Sequence, residues 1–299
     1  MSIAPETSVG TVIDRELTTR RRVRRAVAQG GDRPDFLHQV SAEELTERLS
    51  VTKREFERCL LVDDVYAALG PRIAGLANVD AVISSAPHPQ LLEGAPAAVV
   101  ADEEALPFAA GSLDLVLSNL TLHLTNDTPG TLIQIRRALK PDGLFSAALL
   151  GGETLNELRQ SLLAAEAEAS GGVSPRVVPF PDIRDLGGLL QRAGFALPVT
   201  DQDRLTVRYD TMFELMRDIR AMGLANSLVQ RSRRPSTRAF FLRAAEIYAD
   251  RFSDADGRIR ATFDYVYLSG WVPHESQQKP ARRGSAKASM KDALEHRER

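Results

Sequence analysis

Cysteine is nearly missing from this chain. Cys59 is the only one in 299 residues, so no internal disulfide can form and the fold must rest on burial. That suits a reducing compartment. Cys59 sits in the apolar run Cys59, Leu60, Leu61, Val62 and reads as a small buried hydrophobe, not a reactive thiol. Long apolar runs are missing too: no window approaches the roughly 18 residues that a membrane-spanning helix needs. The opening residues lack the basic and then apolar layout of a secretory signal. Glu6, Asp14 and Glu16 stand ahead of the arginines, whereas transit peptides are poor in acids. A cytoplasmic location is therefore expected. No charge of one sign dominates, since 38 Lys and Arg against 40 Asp and Glu leave a net charge of -2, and aromatics reach only 6%. Without a basic field or arginines interleaved with aromatics, nucleic-acid binding is not expected. No metal-ligating set is read either. The chain also lacks a glycine-rich turn, which argues against a nicotinamide-dependent dehydrogenase.

What is present is enough apolar sequence, 43%, for a substantial core. A helix pair opens the chain at residues 14–28 and, past a turn from Gly30 to Pro34, at 36–49, where Leu37, Val40, Leu45 and Leu49 recur at near-helical spacing. This pair should pack on the edge of the elements downstream. Short apolar runs at 59–62, 79–83, 97–101, 113–120 and 144–150 read as strands, and most are bare runs, as expected of parallel strands covered on both faces. A helix over 131–139 should stop at Lys140, Pro141, Asp142 and Gly143. Thr154 with Glu157 reads as a capping box ahead of the Leu155, Leu158, Leu162 stripe, with Gly171 as the stop. Asp182 caps a helix ended by Gly194, Leu205 to Tyr209 alternate as a strand, and Thr211 with Glu214 opens another capped helix. A helix over 236–251 and a strand over 262–269 complete the pattern.

The sequence thus divides into an N-terminal helical extension (1–52), an α/β core (53–210), a helical insertion (211–252), a last core strand (253–272) and a mobile basic tail (273–299). The fold class is α/β, a doubly wound sheet that should bind ligands at the carboxyl ends of its strands.

The segments IDREL, RRRVRRA, VVADEEALPF, LSNLTLHLTND, LIQIRRALKPDGLF, GGETLNELR and GWVPHESQQKP, in this order, resemble the class I S-adenosylmethionine-dependent methyltransferases. Within them, the chain is similar to the group of the mitochondrial complex I assembly factor 5 and, further off, to the malonyl-acyl-carrier-protein methyltransferase of biotin synthesis. The resemblance implies a seven-stranded, Rossmann-like sheet whose last strand enters antiparallel. It also implies S-adenosylmethionine as cofactor and a protein or small-molecule acceptor, and the assembly-factor group is associated with arginine hydroxylation. By that resemblance Asp102 and Glu103 stand where the adenine is held, Asp63 and Asn119 fall at the cofactor, and His123 is the candidate base or orienting group. The arginine cluster Arg20, Arg21, Arg22, Arg24, Arg25 reads as a solvated helix face or as a contact for an acidic partner protein.

The first strand departs from the family. Its closing acid is replaced by Leu61, its turn glycines by Asp63 and Ala67, and the ribose-binding acid after the second strand by Ser84 or Ser85. Non-glycine residues in left-handed geometry cost roughly 1–2 kcal/mol each, and a lost charged acceptor about 1.5–3 kcal/mol. Two readings are open: a methyltransferase or related protein-modifying enzyme with a degraded cofactor loop, or a non-catalytic assembly protein that keeps the fold without the cofactor.

Overall fold

The computed structural model describes residues 10–27, 35–64, 67–170 and 172–278. The turn from Gly30 to Pro34, the helix stop at Gly171 and the tail from residue 279 lie outside the described residues. Seven strands form one sheet: β1 (Phe56–Val62), β2 (Val79–Ala86), β3 (Ala98–Val100), β4 (Leu113–Asn119), β5 (Leu139–Leu150), β6 (Ala196–Tyr209) and β7 (Ile259–Trp271). Their order is β3-β2-β1-β4-β5-β7-β6. The first five strands are mutually parallel, and β7 runs antiparallel between β5 and β6. The strand order reverses between β1 and β4, which sets the ligand crevice at their carboxyl ends.

The bare apolar runs are explained by two buried faces. On one face Leu61, Leu115, Leu117 and Tyr265 join a core with the helices α2 (Phe36–Ser50), α5 (Asn156–Ser170), α7 (Met212–Ala221) and α8 (Arg238–Phe252). On the other, Leu60, Val62, Val116 and Phe145 meet α4 (Thr128–Ala138) and α6 (Ile183–Ala193). Cys59 is fully buried, and burial pushes its thiol pKa up, as fits a hydrophobe. Asp182 and Thr211 accept from the first-turn amides of α6 and α7, as their sequence implies, and Thr237, inside the expected helix, proves to be the cap of α8. Gly194 ends α6 at φ 86°, where a Cβ would stand 2.9 Å from Arg136 Nε.

Three local expectations fail, each because a distant segment claims the residues. Thr154 and Glu157 form no capping box. The Thr154 hydroxyl exchanges hydrogen bonds with the Asp264 backbone, and Glu157 accepts from the Thr262 hydroxyl and amide, tying the start of α5 to β7. Lys140 to Gly143 do not separate α4 from its strand. The strand already pairs at Leu139 and the four residues bulge before pairing resumes at Leu144, with Asp142 at φ 63°. Strand β6 is nine residues longer at its start than the Leu205 to Tyr209 alternation suggests. Its first residues, ALPVTDQD, are half-buried or exposed, because it is an edge strand with β7 as its one partner.

The helix pair does not sit on an edge. The Tyr265 hydroxyl donates to the Leu37 carbonyl and fixes α2 on the sheet (3.2 Å). Helix α1 (Arg15–Val27) lies instead across the carboxyl ends of the strands, reaching β1 and the segment after β3.

Candidate functional site

The turn after β1 keeps the backbone shape that glycines would take, with side chains in their place. Asp63 stands at φ 57° and Ala67 at φ 49°, both in the left-handed region. Asp64 closes the turn by accepting from the Leu69 amide (3.2 Å) and the Gly70 amide (2.7 Å), which caps the short helix α3 (Gly70–Ile73). Ala67 has no such partner role, so Ala67→Gly is expected to raise the unfolding free energy by about 1 kcal/mol through relief of strain. Urea denaturation measures it, and a loss of stability would show that the turn is not strained there.

At the end of β2, Ser84 and Ser85 pair with Leu61 and Val62 of β1. The Ser85 hydroxyl donates to the Leu61 carbonyl (3.2 Å). Leu61 itself is fully buried in the core. A cavity of about 580 Å³ opens beside the turn, lined by Ala67, Gly70, Ser84 and Leu91 and walled by Asp64 and Arg25. Of the two carboxylates that line it, Asp64 is already engaged with the α3 amides and Glu93 is exposed.

Helix α1 neutralises the other carboxylates of the crevice. Arg22, with its side chain 6% exposed, pairs through Nη1 with Oδ2 of Asp63, whose side chain is 1% exposed. The other oxygen of Asp63 is buried without a hydrogen-bond partner. Burial pushes the Asp63 pKa up to about 7, Arg22 pulls it down, and Glu103 adds to the rise. Two turns earlier on the same face, Arg15 reaches three acids at once: Asp102 Oδ1 (2.6 Å), Glu103 Oε2 (2.8 Å) and Glu104 Oε2 (2.9 Å). Asp102 also accepts from the Glu104 amide (2.7 Å), closing its own turn.

The helix is held in this place by its leading residues. Asn126 accepts from the amides of Val12 (2.9 Å) and Ile13 (2.8 Å) and donates to the Ile13 carbonyl (3.0 Å). Ile13 bridges Leu228, and the Asp14 amide donates to the Ser227 carbonyl (2.7 Å). The arginine cluster is therefore not a uniformly solvated face. Arg22 points inward, Arg20 pairs outward with Glu16 (2.7 Å), and Arg21 donates to the carbonyls of Ala225 and Asn226. Reading the cluster as one block missed Arg15 and Arg22 as site residues. Their spacing of seven puts them on one helix face with Thr18, the other buried residue of α1, but spacing alone does not mark that face as the buried one.

Asn119 closes β4, and its amide is taken up by α2. It accepts from the Ser41 hydroxyl (2.6 Å) and donates to the His38 carbonyl (3.1 Å). His123, in the single helical turn after it, is 8% exposed beside Phe180, with ring centroids 5.6 Å apart. It borders a cavity of about 330 Å³ lined by Ile13, Leu122, Val178, Phe180 and Leu186, and its Nδ1 is buried without a partner. Burial first, and Arg22 second, push its pKa down to about 3. His123 is thus a neutral imidazole and a weak base as placed. Among the described residues no group of three or more His, Cys, Asp or Glu side chains is arranged to hold a metal.

The chain's residues 64–147 match the model of a methyltransferase domain. It is 38% identical over 286 residues to the zebrafish (Danio rerio) protein named arginine-hydroxylase NDUFAF5, mitochondrial, covering 94% of this chain and 89% of that one. It is 40% identical over 184 residues to a malonyl-[acyl-carrier protein] O-methyltransferase of Laribacter hongkongensis, covering 62% of this chain and 59% of that one. In fold it is similar to the crystal structure of YcgJ from Bacillus subtilis, with a TM-score of 0.55 at 13% identity, covering 79% of this chain and all of that one. The zebrafish protein's name places that relative in mitochondria, which overturns the cytoplasmic expectation. No described helix is long and apolar enough to cross a membrane.

Proposed function

Since the chain belongs to the methyltransferase-domain family that includes the NDUFAF5 arginine-hydroxylases, we propose that it acts as a protein-binding assembly factor of the respiratory complex I type without using S-adenosylmethionine. The observation that carries this reading is the buried Arg22 and Asp63 pair in the turn where the methionine end of the cofactor would lie. Around it, the chemistry needed by the cofactor is spent or replaced. Ser84 and Ser85 present hydroxyls where a ribose diol needs a charged acceptor. Asp102 and Glu103, on the adenine side, are held by Arg15. Asp63 and Ala67 add side chains where the backbone must approach closely. The residues present do not fit the cofactor, and no transfer step is derived through it.

Calorimetry and thermal unfolding with S-adenosylhomocysteine test the reading. At about 1 mM we expect no heat and no shift. A site with a dissociation constant near 10 μM would stabilise the fold by about 2.7 kcal/mol at that concentration. A shift of that size in the unaltered chain would overturn the proposal and restore the enzyme reading.

A further inference from the structure

Outside the crevice, α1 carries a second set of arginines. Arg21, Arg24 and Arg25 recur at helical spacing on one face and meet Arg220, from the last turn of α7, around a cavity of about 480 Å³. Its floor is apolar, made by Ala221, Gly223 and Ala225, and no carboxylate is among its lining residues. The positions of these guanidinium groups are set by backbone. Arg21 Nη1 donates to the carbonyls of Ala225 (2.7 Å) and Asn226 (2.6 Å), in the loop that turns at Gly223 (φ 74°).

The acids nearest Arg21 and Arg24 are paired with other arginines. Asp14 is taken by Arg231 (3.0 Å), and Glu16 by Arg20 (2.7 Å). Arg24 and Arg220 make no ion pair among the described residues. Burial first, then Arg231 and Arg24, lower the pKa of Arg21, while Asp14 raises it. Such an arrangement is relieved by an anion.

We propose that this pocket receives an acidic peptide segment of a partner protein, its carboxylates set against Arg21, Arg24, Arg25 and Arg220. A peptide fits better than a small free anion. The cavity is far larger than one phosphate or sulfate needs, the arginines stand on two separate helices, and the apolar floor accepts the aliphatic stems between carboxylates. Planar guanidinium forks match carboxylates in pairs. Arg20 and Arg22 take no part, since one is paired outward and the other is buried on Asp63. This inference rests on the assembly-factor reading and names the chemistry of its partner.

The test is fluorescence anisotropy of a labelled hexaglutamate peptide with the full chain at low ionic strength. Binding is expected, weakening steeply between about 50 and 200 mM salt. In R24E/R220E it is expected to weaken at least about tenfold, while thermal unfolding stays close to the parent because neither residue is in the core. Should that variant fail to fold, R24Q/R220Q is expected to show the same direction of change. Equal binding by parent and variant, or inorganic phosphate binding as tightly as hexaglutamate, would overturn the proposal. S-adenosylhomocysteine is titrated separately. Heat from it overturns the cofactor-free reading, whereas a failed hexaglutamate titration without such heat overturns the pocket alone.

Discussion

At pH 9, Arg22→Ala is expected to lower the unfolding free energy by about 3–5 kcal/mol, because it leaves Asp63 buried without a counter-charge where solvent no longer readily supplies a proton. That is a large fraction of the roughly 5–15 kcal/mol by which domains are stable. The site gives Asp63 no other relief. One of its oxygens has no partner even with Arg22 present, and Glu103 adds a second negative charge nearby. Asp63→Gly alone removes left-handed strain of roughly 1–2 kcal/mol but strands the guanidinium of Arg22, so it too is expected to destabilise. Arg22→Met with Asp63→Gly removes both charges and the strain together, and is expected to fall within about 1 kcal/mol of the parent or above it. Urea denaturation of the parent, Arg22→Met, Asp63→Gly and the double variant completes the cycle. Additive losses in the double variant would show that the two residues are not a coupled pair.

Acidification gives the second large effect. His38 and His123 are both buried, and burial pushes both pKa values down: His38 is well below its ordinary value, with Arg22, Arg25 and His123 adding to burial, and His123 is near 3. The unfolded chain binds these protons near pH 6.5 while the folded chain refuses them, so stability is present above that pH and is lost as pH falls toward the folded values. His123 is expected to remove about 2 kcal/mol between pH 7 and pH 5, and His38 acts in the same direction. Asp63 works in the opposite sense. Its folded pKa, near 7, lies above the unfolded 3.8, so the folded state takes up a proton first and gains about 2 kcal/mol over the same interval. Asp64, also raised by burial, acts in the same direction as Asp63. From pH 7 to pH 5, Asp63→Asn is therefore expected to lose about 2 kcal/mol more than the parent, relative to each protein's own value at pH 7. A flat profile in Asp63→Asn would mean that the histidines are not held neutral by burial.

Much of the architecture is legible in local sequence because its causes are local. Parallel strands under helices on both faces must be apolar throughout, and Cys59 to Val62 and Leu113 to Leu117 are largely so. Helix caps need one side-chain oxygen next to the chain they cap, and Asp182 and Thr211 supply it. Even the absence of glycines at Asp63 and Ala67 correctly marks a turn under strain, since both residues adopt the left-handed geometry that glycine would have taken without cost.

Other features depend on partners far along the chain. The first residues of β6, with Leu197 and Val199 exposed, bury no apolar face, because an edge strand needs only the hydrogen bonds that β7 provides. Thr154 and Glu157 have the spacing of a capping box, yet β7 offers them Thr262 and Asp264 instead. The strongest case is α1. A run of arginines on a polar helix carries no local sign of which side faces water. Residues 12–14 pin that helix to Asn126 and to the loop at 227–228, and this sets Arg15 over Asp102 to Glu104 and Arg22 over Asp63. Fold and lineage come from short-range apolar pattern and turn chemistry, which act within a few residues. The filling of the crevice by arginines depends on which distant carboxylates the packed sheet brings within reach, because an ion pair is set by distance in space and leaves no mark on spacing in the chain.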